Sequence, residues 1–234
     1  MLNNLKKELQ EISNSEQAEI LQRFFKTGEG EYGKGDIFLG VKVPIQRKIA
    51  KKYQELSLPK IQELLKSKIH EHRLIALIIL IGKYKGAKDE EKENIFNFYL
   101  KNMKKINNWD LVDLSAPPIV GDFLINRKKN ILYELVESKN LWERRIAIIS
   151  TSHFIRNDEF ESVLKISEIL LNDEHDLIHK AVGWMLREIG KRDLEVEEEF
   201  LKKHYKNMPR TMLRYAIERF DEEKRWRYLR GRFK

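Results

Sequence analysis

Arg73-Leu74-Ile75-Ala76 and Arg144-Arg145-Ile146-Ala147 are two copies of one short phrase, a basic residue followed three positions later by a small one inside an apolar run. The phrase recurs more loosely as Asp110-Leu111-Val112-Asp113, Lys180-Ala181-Val182-Gly183 and Arg214-Tyr215-Ala216-Ile217. The starts are 37, 34, 36 and 34 residues apart, the length of a helical hairpin repeat. In a stacked array the small residue lets neighbouring helices approach, while the residue that opens the phrase caps or pairs between repeats. The spacing therefore predicts an all-α solenoid.

Working outward, Leu2, Leu5, Leu9 and Ile12 fall at helical spacing, and Ile20, Leu21, Phe24 and Phe25 make a second apolar face. Further helices are predicted from Ser57-Leu58-Pro59 through Leu65, from Asp89 through Tyr99 and from Asp158 through Leu171, each with a capping residue or proline at its start. The glycine-bearing segment from Thr27 to Gly40 reads as a loop. Pro117-Pro118 predicts a stop or kink in the helix that carries Asp113. The expected organisation is one repeat domain over residues 1–223 and a basic, aromatic tail over 224–234.

Composition narrows the chemistry. With 234 residues, 41% of them apolar, the chain can bury a core. The absence of cysteine excludes disulfides, a thiol nucleophile and cysteine-ligated metal sites, and a reducing cytoplasm is expected. No apolar signal core opens the chain, and the greasiest run, Leu74 to Gly82, is too short to span a bilayer. The net charge of +8 is concentrated at the end, where Lys224–Lys234 hold six basic and no acidic side chains. Trp226, Tyr228 and Phe233 sit between those charges. Basic residues interleaved with aromatics suit nucleic acid; a solvated helix end docked on the body is the plainer alternative.

Trp109 and Asp113, four residues apart, share one helix face, and Asp113 occupies the register that packing reserves for a small residue. A carboxylate on a packing face beside an indole calls for a cationic ligand or transition state. Lys180, Trp184 and Arg187 form a second unusual face of cation, indole and cation. Other features are weaker. Gly28-Glu29-Gly30-Glu31-Tyr32-Gly33 matches a dinucleotide glycine pattern, but a helix precedes it and its glutamates repel phosphate. His175 and His179 have zinc-like spacing without a third ligand, and His70 and His72 point to different sides of a helix. Trp142 and the run Glu195–Glu199 read as core and as a solvated helix start.

With these residues in place the chain resembles the DNA alkylation repair family, the AlkD-type DNA glycosylases. Three stretches carry the resemblance: Trp109-Asp110-Leu111-Val112-Asp113, Leu141-Trp142-Glu143-Arg144-Arg145-Ile146-Ala147 and Ala181-Val182-Gly183-Trp184-Met185-Leu186-Arg187-Glu188. The resemblance implies a right-handed α-solenoid of HEAT-like (ARM/HEAT) repeats that excises cationic alkylated purines, 3-methyladenine and 7-methylguanine, from duplex DNA. It places the catalytic aspartate on Asp113, the sugar-contacting tryptophans on Trp109 and Trp184, and a backbone-contacting arginine on Arg145. A tyrosine of the family falls loosely on Phe24. Lys180 and Arg187 are expected as further backbone contacts.

The expected protein is thus a monofunctional hydrolase of base excision repair that needs no metal or cofactor, a cytoplasmic monomer whose partner is damaged duplex DNA rather than a membrane. The rival expectation is a non-catalytic helical-repeat module that binds branched or damaged nucleic acid or a protein partner.

Overall fold

The structure, a computed structural model, describes residues 1–231. It is all-α and of the helical-repeat kind, as the spacing predicts. Among the described residues there is no β-strand, only one parallel bridge between Ile37 and Ile69. The chain folds as two compact units, one from Met1 to Ser115 and one that begins at Ala116.

The first unit runs α1 (Leu2–Glu11), α2 (Ser15–Phe24), α3 (Val43–Lys52), α4 (Leu58–Leu65), α5 (His70–Gly86), α6 (Asp89–Asn102) and α7 (Trp109–Ala116). Leu2, Leu5 and Leu9 are buried on α1, the face their spacing predicts. Asn14 caps α2 by accepting the Gln17 amide at 2.8 Å. The central element is α5, packed against α3, α4 and α6. Its Leu74, Ile75, Leu77, Ile79 and Leu80 are buried, each contributing about 1.5–3 kcal/mol of apolar burial. The predicted loop joins α2 to α3 and is held down by Glu71 of α5. That buried carboxylate accepts the amides of Leu39 at 3.0 Å, Gly40 at 2.9 Å and Val41 at 3.3 Å. Gly40 sits at φ +81°, where a Cβ would collide with the Asn14 carbonyl and the Ala18 amide.

The second unit opens on Pro117–Gly121, wound wider than an α-helix, and α8 (Asp122–Leu124) follows directly. Of the expected stop or kink, the stop does not occur: the paired prolines are absorbed by a π turn, which drops the hydrogen bonds that proline cannot make. Then come α9 (Asn130–Val136), α10 (Leu141–Ser150), α11 (Ser152–Arg156), α12 (Glu161–Ile169), α13 (Asp176–Gly190), α14 (Leu194–His204), α15 (Arg210–Ala216) and α16 (Glu222–Leu229). Asp158 does not start α12 as predicted. It takes the left-handed conformation at φ +58° in the preceding turn and binds Arg192 through its carboxylate. Packing centres on α10, against α9 and α13, and on α13, against α14 and α15. Gly183 makes the α13–α15 approach possible, since a Cβ there would meet the Met212 carbonyl and Tyr215.

The repeat phrase has a local mechanical meaning. The Ser67 hydroxyl accepts the Ile69 amide at 3.1 Å, and Arg73, six residues on, donates to the Ser67 carbonyl at 2.8 Å. Ser138, Asn140 and Arg144 repeat the arrangement at 3.0 and 2.9 Å. Asp173 accepts the His175 amide at 2.8 Å, while His179 reaches the Asp173 carbonyl. The third copy therefore falls on His179, one residue before the Lys180 that the sequence spacing selects. It also accounts for the zinc-like pair, because His175 accepts the Leu177 amide at 3.1 Å. Both imidazoles are capping groups.

Residues 224–229 of the expected tail fall within α16, while Arg232 and Lys234 lie outside the described residues. Tyr228 is buried, edge-on to Tyr205 with ring centroids 5.4 Å apart, and Lys224 binds the Glu198 carboxylate. Trp226 is exposed under the Arg230 guanidinium at 4.9 Å. Phe233 lies outside the described residues.

Candidate active site

In the first unit the expected pair stands on α7. The helix begins at Trp109, whose amide donates to the Asn108 side chain at 2.8 Å. Asp110 accepts the Leu111 amide on Oδ1 at 2.9 Å and is bonded through Oδ2 to His70 Nε2 at 2.8 Å. The Trp109 indole is half-buried. One face lies on Phe25, centroids 5.1 Å apart and planes 17° from parallel, and Phe24 meets it edge-on at 5.9 Å. Phe24 itself is 62% exposed, so it forms the outer wall of this aromatic group. Beneath lie Ala18, Phe25 and Phe38 as a small core.

Asp113 is half-buried one turn further along. Its electrostatic influence is visible on Tyr99: burial raises that phenol's pKa and the Asp113 charge raises it further, against a bond with Ser115. Ser115 in turn donates to the Leu111 carbonyl at 2.6 Å. The negative charge is thus carried on a helix whose neighbouring side chains are tied back into the fold.

In the second unit Trp184 is half-buried on α13, and its indole N–H donates to Glu188 at 3.0 Å. It lines a cleft of about 300 Å³ together with Ser152, Ile155, Arg156 and Lys191. The expected cations are engaged. Arg145 is buried on α10 and donates from Nη1 to the Leu177 carbonyl at 2.5 Å. Lys180 pairs with Asp176 at 2.6 Å, and Arg187 with Glu218 and, at 3.8 Å, Glu188. The cation–indole–cation face is therefore charge-neutralised by acids of its own unit.

Two weak features resolve into structure. The Gly28 amide donates to the Glu31 carboxylate at 2.8 Å, so the glycine pattern is filled by its own acid. Among the described residues no group of three or more His, Asp or Glu could hold a metal ion, and no helix is long and apolar enough to cross a membrane. What the sequence reading missed is His70 with Asp36 and Arg73, a buried network directly behind Trp109.

Both units are built of packed helices, one carrying Trp109 and Asp113 and the other Trp184 with its flanking charges. The pattern of the DNA alkylation repair enzyme family matches residues 5–220, and the chain belongs to that family. Among solved structures it is similar to a predicted DNA alkylation repair enzyme from Enterococcus faecalis, with TM-score 0.70 and 17% identity over 90% of this chain and 97% of that one. It is also similar to AlkD2 from Streptococcus mutans, with TM-score 0.56 and 18% identity over 88% of this chain and 98% of that one. No curated protein matches it. Family membership gives a role in DNA alkylation repair; α16 lies beyond the matched residues.

Proposed function

We propose that this protein is a DNA glycosylase of base excision repair, hydrolysing the N-glycosidic bond of cationic alkylated purines, 3-methyladenine and 7-methylguanine, in duplex DNA. The observation that carries the reading is the half-buried Asp113 carboxylate one helical turn from the Trp109 indole. A carboxylate weakens binding to a polyanion, so its place beside an aromatic wall suits a positive reacting centre better than a phosphate.

A purine alkylated at a ring nitrogen already carries positive charge. It leaves with the bonding electron pair as a neutral base, and the charge passes to the sugar as an oxocarbenium ion. Water adds at the anomeric carbon and loses a proton. Asp113 stabilises the cation: at about 4 Å and an effective dielectric near 20 that is roughly 4 kcal/mol, about a thousandfold in rate. Each indole adds about 0.5–2 kcal/mol when the charged sugar lies against its face. Trp184 and Arg145 are assigned the roles the family resemblance implies, sugar contact and phosphate contact.

The test is release of 7-methylguanine from methylated duplex by the wild type and Asp113→Asn, with duplex affinity measured alongside. Release by the wild type, abolished in the variant while affinity holds or improves, supports the enzyme. Binding without release by either protein favours the non-catalytic module.

A further inference from the structure

α5 opens with His70-Glu71-His72-Arg73, four polar side chains buried at the start of an apolar helix. Buried polar groups need partners, and these have them. Glu71 holds the loop amides, and His72 Nδ1 lies 2.9 Å from the Ser67 hydroxyl. Arg73 bonds Ser67 and, at 2.5 Å, Asp36. His70 differs in what it joins. Its Nδ1 lies 3.1 Å from Asp36 in the loop, and its Nε2 2.8 Å from Asp110 in the first turn of α7. The ring stacks on Phe38 at 4.5 Å and lies 5.1 Å from Phe25, the same ring that backs Trp109.

We propose that His70 is a positioning residue which, through Asp110, fixes the first turn of α7 and with it the Trp109 indole and the Asp113 carboxylate. For its chemistry the inference rests on the glycosylase reading; for the placement of α7 it rests on geometry alone. Asp110 has one oxygen on the Leu111 amide and the other on His70, so a single rotamer satisfies both. A turn anchored at Asp110 constrains the residue before it and the one three positions on, which are Trp109 and Asp113. Small displacements of a charge from the reacting centre cost up to about a hundredfold in rate.

The charge state follows from the contacts. A neutral imidazole donates through one nitrogen only, whereas both nitrogens here face carboxylate oxygens, an arrangement that favours the imidazolium. The charged groups facing the ring are Asp36 from the loop, Asp110 from α7 and Arg73 from α5, whose Nη2 is 3.4 Å from Nδ1; Phe25 and Phe38 are uncharged. Burial opposes the charge and so does Arg73, but Asp110 and Asp36 outweigh both and hold the pKa above its ordinary value. The folded pKa being raised, the contribution is complete below the ordinary histidine pKa and is lost as pH climbs through the folded value. Losing the proton leaves Asp36 with Arg73 and turns the charge-assisted bond to Asp110 into a weaker neutral one, so α7 loosens on the alkaline side.

The experiment uses the full chain with His70→Gln, Asp110→Asn and the double variant. Two readouts are taken: single-turnover release of 7-methylguanine across the titration range, and amide exchange of α7. The expected result is a rate about tenfold lower in each single variant, no further loss in the double, an alkaline limb in the wild type that is absent from His70→Gln, and about tenfold faster exchange at Leu111–Ser115. A wild-type rate and limb in His70→Gln overturns the proposal, as does unchanged α7 exchange whatever the activity. If no protein releases base yet α7 exchange rises, the glycosylase reading fails and the positioning of α7 stands. Asp110 is more exposed, at 17% against 2% for His70, so Asp110→Asn carries the same test should His70→Gln fail to fold.

Discussion

Phe25 lies flat against Trp109, ring centroids 5.1 Å apart and planes within 17° of parallel, so the indole is part of a hydrophobic floor. The two neighbouring phenylalanines then divide their duties. Phe25 is 7% exposed and Phe24 62%. Phe25→Ala is expected to destabilise the protein by about 3 kcal/mol in urea unfolding. Phe24→Ala should cost under about 0.5 kcal/mol while weakening binding to damaged duplex. Equal stability losses for the two would show that the stack is not the floor described.

The two arginines of the repeat phrase should differ in the same way. Arg73 and its partner Asp36 are each 4% exposed, whereas Arg144 is 18% exposed beside Asp173. Removing Arg73 leaves the buried Asp36 with His70 alone, so Arg73→Ala is expected to cost about 3–5 kcal/mol. Arg144→Ala should cost about 1–2 kcal/mol, because water can enter where the more exposed guanidinium stood and Asp173 keeps the His175 amide. Paired denaturation curves measure the contrast.

Gly183→Ala should lower stability by about 1–3 kcal/mol, because the added methyl meets the Met212 carbonyl and lies 2.6 Å from the Tyr215 Cβ. A melting temperature equal to the wild type would mean that α15 shifts freely, against the close packing of α13 on α15.

Glu197 predicts a pH effect. It is 2% exposed on α14, and burial raises its pKa to about 8 despite the nearby Lys224 and Arg187. The folded protein holds a proton that the unfolded chain releases near pH 4.3, so this group's stabilisation is complete at acid pH and declines up to about pH 8. Glu197→Gln is expected to remove that decline and to raise stability near pH 8 by about 2 kcal/mol. Parallel pH profiles for the two proteins would contradict it.

Much of the fold was legible because helical burial is a local, periodic signal: Leu2, Leu5 and Leu9 announce α1, and Ser57-Leu58-Pro59 announces α4. Boundaries set by single backbone conformations were not. Asp158 looks like a cap but is left-handed, and Pro117-Pro118 widens a turn instead of ending a helix. At the site, Trp109 and Asp113 stood out by chemistry out of keeping with their register. His70 did not, because its partners lie 34 residues upstream and 40 downstream, pairings that only the tertiary structure creates. A signal was present nonetheless. A helix that is apolar on all sides after its first turn must bury that turn as well, and His70-Glu71-His72-Arg73 could not then be solvated.

The grip of Glu71 on Leu39, Gly40 and Val41 splits the segment between α2 and α3 into a free bow and a clamped root. Nothing lies within 4 Å of where a Cβ on Gly30 would point, whereas Gly40 touches α2. A fluorescent reporter or tether spliced in near Gly30 should leave the scaffold intact, and the same graft at Gly40 should pry the amino-terminal helices from their seat.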